Sequence, residues 1–255
     1  MSYKYNFVIC GVFKNESHIL SEWIQHYLNR GVDHIYLVND NSTDSYEYVL
    51  KQFAHKVTVF NNDIIYNNVG RQSKIYDKYF HPLLTETKWM TILDLDEFLY
   101  SPTNETFTDI LNKYNNIEQI KIDWLHFGSN GHIYQPISVI SGFTKRAEFS
   151  TNVIYYSYKC IFKTSALISF DIHINNVNGT TIHLNYNDNN IPCLVINHYN
   201  IQSYNFYIKV KGTRGDINNW FDSQNLKRDE ELFYKFDKNE VTDLRLFEQN
   251  KNNIT

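Results

Sequence analysis

The sequence has few glycines and none of the glycine-rich motifs that hold phosphate groups in many nucleotide-binding proteins. Only 9 of its 255 residues are glycine, and they form neither a Gly-x-Gly-x-x-Gly nor a Walker motif. A dinucleotide-binding Rossmann site and a P-loop are therefore disfavoured, because both need glycine backbone close to the phosphates.

Cysteine, excess charge and long apolar runs are also scarce. Cys10, Cys160 and Cys193 are far apart and lack metal-ligand spacing, which predicts reduced thiols and a cytoplasmic location. The net charge is −4 and the basic residues are scattered, so we expect no nucleic-acid partner. No stretch approaches the roughly 18 apolar residues of a membrane span, so we also expect a soluble protein with no membrane span.

What the sequence does contain is an alternation of apolar runs and amphipathic segments over its first hundred residues. Strands are expected at residues 5–13, 34–38, 57–60 and 89–93. Helices are expected at residues 19–28, from a cap at 42–44 to about 53, and at 75–84. This order predicts an α/β fold with a mostly parallel sheet and helices on both faces.

Polar loops follow three of the predicted strands, at Phe13-Lys14, Asn39-Asp40 and Asp94–Asp96. In an open α/β sheet, ligands bind at the carboxyl ends of the strands, so these loops are expected along one edge. Close carboxylates repel each other, and a divalent cation with a phosphate ligand neutralises them well. An isolated Asp-x-Asp is weak evidence, so the interpretation depends on the rest of the chain.

A series of motifs stands at residues 13–16, 22–23, 31–44, 71–72, 89–99, 124–132 and 197–199, followed by Ser203, Lys209 and residues 211–215. In this order the motifs resemble those of GT-A-fold glycosyltransferases of the family 2-like and family 92-like group. The resemblance implies a GT-A-type sheet with a mixed acceptor-side region. It implies one domain over residues 1–235, with a nucleotide-binding half at about 1–100 and an acceptor half at about 101–235. Residues 236–255 would form a C-terminal tail.

The resemblance also implies a metal site for Mn²⁺ or Mg²⁺. Asp96 would bind the metal directly, Asp94 would contact the metal or the ribose, and the late His198 would complete the site. Oxygen and neutral imidazole ligands suit these cations. Glu97 either supports the site or caps the next turn.

A further set of residues is expected to contact the nucleotide. In this group Asp40 matches a base contact, Glu16 lies near base or ribose, and Arg71 pairs with base or phosphate. The alternatives are a helix-capping Asp40, a Glu16 that acts as a helix N-terminal charge, and a solvated basic helix face near residue 210. The full set of expected nucleotide-binding residues is Phe13, Asn15, Glu16, Asp40, Arg71, Asp94, Lys209 and Arg214.

The base that would deprotonate an acceptor hydroxyl is less well indicated. Asp123 and His132 are the candidates by residue type and place. The downstream Glu-Asp pair of many family 2 enzymes is absent, which leaves the base and the stereochemistry open. Arg146 and Lys159 would stabilise the acceptor half or touch the sugar.

Together these features predict a metal-dependent glycosyltransferase. It would move a sugar from a nucleoside diphosphate sugar, a UDP-sugar foremost, to a hydroxyl of a glycan or another acceptor. A nucleotide-sugar pyrophosphatase or nucleotidyltransferase would also use clustered carboxylates, but the glycine-rich triphosphate loop is missing. A non-catalytic carbohydrate-binding protein would explain the 16% aromatic residues but not Asp94 and Asp96.

Nucleotide binding is the first property to measure. In a thermal-shift screen of UDP, GDP, dTDP and CDP, we expect one nucleotide to raise the melting temperature, and only with Mn²⁺ present. A ligand at 100 times its dissociation constant adds about 2.7 kcal/mol to the free energy of unfolding. No rise with any nucleotide would favour a binding protein or an inactive transferase.

The sequence also suggests that Asp96 is an exposed carboxylate repelled by its neighbours. On that view Asp96→Ala should abolish metal-dependent turnover and change the free energy of unfolding by less than about 1 kcal/mol.

Overall fold

The computed structural model describes residues 3–64, 70–150, 157–214 and 228–251, without the side chain of Arg214. The strands are β1 Tyr5–Phe13, β2 His34–Asn39, β3 Val57–Asn61, β4 Thr87–Ile92, β5 Glu97–Tyr100, β6 Gln119–His126, β7 Lys145–Arg146, β8 Tyr158–Lys163, β9 Leu167–Ser169, β10 Asn176–Val177, β11 Thr181–Leu184, β12 Val195–His198 and β13 Val241–Thr242.

Helical segments connect these strands. The α-helices are α1 Ser17–Leu28, α2 Tyr46–Leu50, α3 Arg71–Tyr79, α4 Phe107–Lys113, α5 Val139–Gly142, α6 Tyr204–Phe206, α7 Gly212–Arg214, α8 Glu230–Phe236 and α9 Arg245–Asn250. The 3₁₀ turns are Lys51–Phe53, His81–Thr85 and Thr164–Ala166, and a π-helical turn spans Tyr207–Lys211. In the described part of the chain, none of these helices has the length and apolar character to cross a membrane.

The main sheet has the order β3-β2-β1-β4-β8-β6-β12-β5, and β11 also pairs with β6. Strands β3, β2, β1 and β4 are parallel, as are β12 and β11 with β6. Strand β8 is antiparallel to both of its neighbours, and β5 is antiparallel to β12. This arrangement confirms the predicted α/β class, with a mostly parallel sheet and a mixed acceptor-side region.

Strand β1 is central because its side chains are buried on both faces of the sheet. Phe7, Ile9 and Phe13 belong to one core, and Val8 and Cys10 belong to the other. Full burial of such a side chain stabilises the fold by about 1.5–3 kcal/mol. In the middle of the strand, a Cβ on Gly11 would lie 2.9 Å from the carbonyl oxygen of Leu93. A side chain there would push the start of the Asp94–Glu97 turn out of place.

The two cores are covered by different helices. Helix α1 buries Ile19, Leu20, Trp23, Ile24 and Tyr27 against the first core, and α3 contributes Ile75 and Tyr76 to the second. Their spacing is that of amphipathic helices. The prediction of helices on both faces is therefore confirmed.

Two helices, α2 and α3, differ in extent from the expectations drawn from the sequence. Residues 42–44 were expected to cap helix α2, but its N-cap is Ser45 and the helix begins at Tyr46. The reason is that the backbone N–H groups of residues 42 and 43 are already bonded: Thr43 N donates to Asn15 Oδ1 at 2.7 Å, and Ser42 N donates to Asn39 Oδ1 at 2.8 Å. Helix α3 spans Arg71–Tyr79 instead of 75–84. The 3₁₀ turn after it contains Pro82, which lacks the N–H that an α-helix would need.

The segment expected to form a C-terminal tail is folded onto the part of the chain after residue 100, as far as the structure describes it. Asp237 Oδ1 accepts a hydrogen bond from Ser129 N at 2.7 Å, and Leu246 is buried in the first core. Asp243 Oδ2 lies 2.8 Å from Nε of the buried Arg146. Charges that look solvated in the sequence are therefore counter-charges for residues about 100 positions earlier.

We predict that Asp243→Asn lowers the free energy of unfolding at pH 7 by about 3 kcal/mol, because it leaves Arg146 buried with less counter-charge. Burial alone would raise the pKa of Asp243, but Arg245 and Arg146 outweigh burial and hold the pKa below its usual 3.8. The contribution is therefore complete above about pH 4 and is lost as the pH falls through the folded-state pKa.

Denaturant unfolding from pH 7 down to pH 3 checks this prediction, and the difference between wild type and variant should narrow below about pH 4. Asp63→Asn serves as the control, because Asp63 forms an exposed ion pair with Lys78 and should leave stability unchanged. If Asp243→Asn has the same free energy of unfolding as the wild type, the ion pair with Arg146 contributes nothing to stability.

Candidate metal and nucleotide site

The turn that follows β4 is anchored from helix α1. Trp23 Nε1 donates to the carbonyl oxygen of Glu97 at 3.0 Å, and Tyr27 OH donates to the same oxygen at 2.9 Å. Tyr199 N donates to the carbonyl oxygen of Asp96 at 2.8 Å. The backbone that carries the carboxylates is thus held by aromatic residues buried in the core.

Strand pairing brings a distant histidine to this turn. Strands β5 and β12 are antiparallel and place His198 opposite Glu97. His198 Nε2 lies 3.6 Å from Asp96 Oδ1. Asp96, Glu97 and His198 each offer a ligand atom, and these atoms lie within 4.8 Å of one another.

Two buried lysines contact the same carboxylates. Lys159 Nζ lies 3.1 Å from Asp94 Oδ2 and 3.6 Å from Glu97 Oε1. Lys211 Nζ donates to Asp96 Oδ2. We call Asp94, Asp96, Glu97, Lys159 and Lys211 the charge cluster, and with all five ionised it carries one net negative charge.

The pKa shifts of the two buried carboxylates in the cluster, Asp96 and Glu97, have opposite directions. Burial raises the pKa of Glu97 well above its usual range, and Asp94 and Asp96 add to this against the opposing effect of Lys159. Burial would also raise the pKa of Asp96, but Lys211 and His198 outweigh it and hold this pKa well below 3.8. Asp96 is therefore ionised, and Glu97 is the group at which a proton or a cation balances the cluster.

These residues fit a hard divalent cation. Glu97 Oε1 and His198 Nδ1 are buried without a hydrogen-bond partner, and two carboxylates with an imidazole form a donor set that Mn²⁺ accepts. The structure brings Asp96 and His198 together, as the metal hypothesis requires. Glu97 takes the third position, whereas Asp94 is 36% exposed and pairs with Lys159.

Asp40 and Arg71, both expected to contact the nucleotide, contact each other. Arg71 Nη1 and Nη2 lie 2.8 and 2.6 Å from the two carboxylate oxygens of Asp40, and Asn62 Nδ2 donates to Asp40 Oδ1 at 2.7 Å. Burial would raise the pKa of Asp40, but Arg71 and Asn62 outweigh it and lower the pKa. The two residues thus form one buried, bidentate pair.

A cavity of about 670 Å³ lies between the loops after β1 and β2 and the helical segment that follows β12. Its size is within the range of small-molecule sites. The lining residues include one cation on either side, Lys14 and Lys209. The full lining is Lys14, Asn15, Ser17, His18, Thr43, Asp44, Gln135, Phe206, Lys209, Val210 and Thr213.

The remaining expected nucleotide-binding residues have different positions. Asn15 has a φ of 54° and joins the two loops through Thr43, and it lines the cavity. The side chain of Phe13 is buried against Tyr46, while its carbonyl oxygen accepts a hydrogen bond from Asp40 N at 2.8 Å. Glu16 is buried at the start of α1. The side chain of Arg214 lies outside the described residues.

Both candidate bases are engaged by other groups. Asp123 is buried, and its Oδ1 lies 2.5 Å from His183 Nε2 while its Oδ2 accepts from Tyr186 N at 2.8 Å. His132 Nε2 lies 3.0 Å from the carbonyl oxygen of Gly142. Asp123 is therefore part of a carboxylate–histidine pair, and His132 is held in the loop before α5.

Sequence reasoning gave Glu97 only a supporting or capping role, and it expected Lys159 to stabilise the acceptor half or touch the sugar. Lys159 interrupts the apolar run of β8, and a charge within such a run requires a buried counter-charge, which is a signal that the sequence does contain. The pairing of Glu97 with His198 has no such signal, because it arises from the β5–β12 register.

Comparison with known proteins identifies relatives. A family model described as glycosyltransferase family 92 matches residues 4–245. A family 92 protein of Ricinus communis is 24% identical over 208 residues, which cover 78% of this chain and 36% of that protein. A second, of Oryza sativa subsp. japonica, is 25% identical over 227 residues, covering 86% and 37%. The chain thus spans little more than a third of these relatives.

Among solved structures, the crystal structure of residues 1–349 of S. aureus TarS in complex with UDP matches with a TM-score of 0.39 and 15% sequence identity. The match covers 63% of this chain and 47% of that chain.

The geometry corrects the expectation that Asp96→Ala leaves stability nearly unchanged. Asp96 is only 7% exposed, and its loss would leave the ammonium of Lys211 buried without its counter-charge. We predict a loss of about 3–5 kcal/mol in the free energy of unfolding, measured by denaturant titration at pH 7. The double variant Asp96→Ala/Lys211→Met should recover part of this loss. A change below about 1 kcal/mol in the single variant would contradict the buried pair.

Proposed function

The chain belongs to glycosyltransferase family 92, and on that basis we propose that it is a metal-dependent glycosyltransferase. The observation that carries the proposal is the group formed by Asp96, Glu97 and His198, in which one donor atom from each residue lies within 4.8 Å of the others. The donor would be a nucleoside diphosphate sugar, with a UDP-sugar as the first choice. The acceptor would be a hydroxyl of a glycan or another molecule.

Asp96, Glu97 and His198 would hold Mn²⁺ or Mg²⁺. When bound, the ion would supply positive charge for the leaving diphosphate. Lys159 supports this arrangement from the opposite side, because its ammonium contacts both Asp94 and Glu97 and keeps their carboxylates in place. The resulting position of Asp94 next to the site suits the contact with ribose or metal that was expected of it.

The cavity lined by Lys14 and Lys209 is our candidate for the nucleotide diphosphate site. Both cations are in place before any ligand binds, so they would stabilise the charge that develops on the leaving diphosphate. Asn15 and Thr43 join the two loops of this cavity, which limits the conformational freedom lost on binding. Asp40 and Arg71 are proposed as base contacts whose mutual ion pair keeps both side chains ordered in the free protein.

For the acceptor hydroxyl, Asp123 is the better of the two candidate bases. Its Oδ1 lies 2.5 Å from His183 Nε2, so the carboxylate orients an imidazole in the kind of pair that general base catalysis uses. His132 Nε2 donates to the carbonyl oxygen of Gly142, and no carboxylate contacts its ring within the described part of the chain. We also propose that residues 1–235 act as one domain and that the folded segment 237–251 packs against it.

The test is transfer or hydrolysis of UDP-sugars by the purified chain, with the nucleotide products separated by chromatography. We predict release of UDP that requires Mn²⁺ and disappears on chelation. Asp96→Asn should reduce the rate by more than about 100-fold, because even supporting residues of metal sites contribute 10–100-fold. Asp63→Asn, at an exposed ion pair with Lys78, is the control and should keep the wild-type rate.

The products also separate the alternatives. Formation of UMP with sugar phosphate would indicate a pyrophosphatase. Sugar binding without any nucleotide release would indicate a carbohydrate-binding protein, and metal-independent UDP release would remove the metal from the proposal.

A further inference from the structure

The ammonium of Lys211 lies on the carboxylate that the metal ion would use. Lys211 Nζ donates to Asp96 Oδ2 and also to the carbonyl oxygen of Asn200 at 2.5 Å. The side chain of Lys211 is only 5% exposed. The other oxygen of Asp96 faces His198 at 3.6 Å. One buried carboxylate is therefore shared between a lysine and the candidate metal group.

The backbone around Lys211 has an unusual form. Ser203 caps α6 by accepting a hydrogen bond from Phe206 N at 3.3 Å, and the chain then forms the π-helical turn Tyr207–Lys211. Such turns are rare, have poorer geometry than an α-helix and occur often at functional sites. This one carries Lys211 to Asp96 while Lys209, two residues earlier, lines the cavity.

The net charge of the cluster can be compared for two states, one with Lys211 at Asp96 and one with a divalent ion bound. With Lys159 and Lys211 in place, the three carboxylates leave one net negative charge. A divalent ion added to this arrangement would give one net positive charge in a buried site, which is unfavourable. If the ammonium of Lys211 moves away as the ion binds, the cluster becomes neutral.

We propose that Lys211 is a resident cation that competes with the divalent ion for Asp96. In the metal-free protein it neutralises Asp96 and holds the segment Tyr204–Lys211, which we call the lysine segment, against the site. Metal binding displaces Lys211 and so loosens the lysine segment beside the cavity. This inference rests on the metal-dependent function proposed above, and it adds a coupling between metal occupancy and the wall of the nucleotide cavity.

The first test measures Mn²⁺ binding without nucleotide, by electron paramagnetic resonance of the free ion at constant pH. Lys211→Met removes the competing charge and should lower the dissociation constant for Mn²⁺ at least tenfold. Lys209→Met is the matched control, because Lys209 is exposed and lies in the same turn, and it should change the constant by less than twofold.

The outcomes separate this inference from the proposed function. If wild type binds Mn²⁺ and Lys211→Met binds it equally or more weakly, competition by Lys211 is ruled out while the metal site stands. If neither protein binds Mn²⁺, both proposals fail. If only Lys211→Met binds Mn²⁺, the resident cation is supported and wild type is metal-free.

A second measurement uses wild type alone, so it does not depend on whether the variant folds. Amide hydrogen exchange is followed with and without saturating Mn²⁺. We expect faster exchange in the lysine segment with Mn²⁺, and unchanged exchange in helix α1. Slower or unchanged exchange in the lysine segment would overturn the proposed displacement.

Discussion

The burial of like charges next to one another is the constraint on which this structure depends. Asp94, Asp96 and Glu97 stand within four residues, and two of the three carboxylates are almost completely buried. Buried carboxylates are tolerated only when they are paired, hydrogen-bonded or bound to a cation. Lys159 and Lys211 meet most of this requirement, and a cation held by Asp96, Glu97 and His198, as proposed, would meet the remainder.

The architecture can be understood as the means of holding this cluster. The central strand β1 is buried on both faces and brings β4, and hence the acidic turn, to the middle of the sheet. Trp23 and Tyr27 then fix the turn through its own carbonyl groups, so the aromatic side chains restrain the backbone and leave the carboxylate oxygens unobstructed. The mixed region completes the site, since β8 supplies Lys159 and β12 supplies His198.

The cavity and the charge cluster are connected through a single short segment. Lys209 faces the cavity, and Lys211 contacts Asp96. If metal binding displaces Lys211 as proposed, the change would reach the cavity through this segment. The C-terminal segment is attached in a different way, through the buried ion pair of Asp243 with Arg146. Within the described part of the chain, this ion pair does not contact the carboxylates of the charge cluster.

Features carried by local sequence could be predicted. The apolar runs determined the parallel strands, helical spacing determined α1, and the resemblance pointed to Asp96 and His198, which the structure brings together. These predictions depend on hydrophobic periodicity and on motifs, both of which are found within a single stretch of chain. The start of α2 was misplaced because the side chains of Asn15 and Asn39 accept hydrogen bonds from the backbone of Thr43 and Ser42. The end of α3 was misplaced because the chain continues as a 3₁₀ turn that contains Pro82.

By itself, the sequence determined the class of fold and the acidic motif that follows β4. Only the tertiary structure decided which carboxylates are neutralised and by what. Glu97 meets His198 through strand register, Lys211 reaches Asp96 across 115 positions, and the supposed tail provides Asp243 for Arg146. Electrostatic pairing depends on distance and burial in space, and neither quantity can be obtained from the residue types within one local stretch of chain.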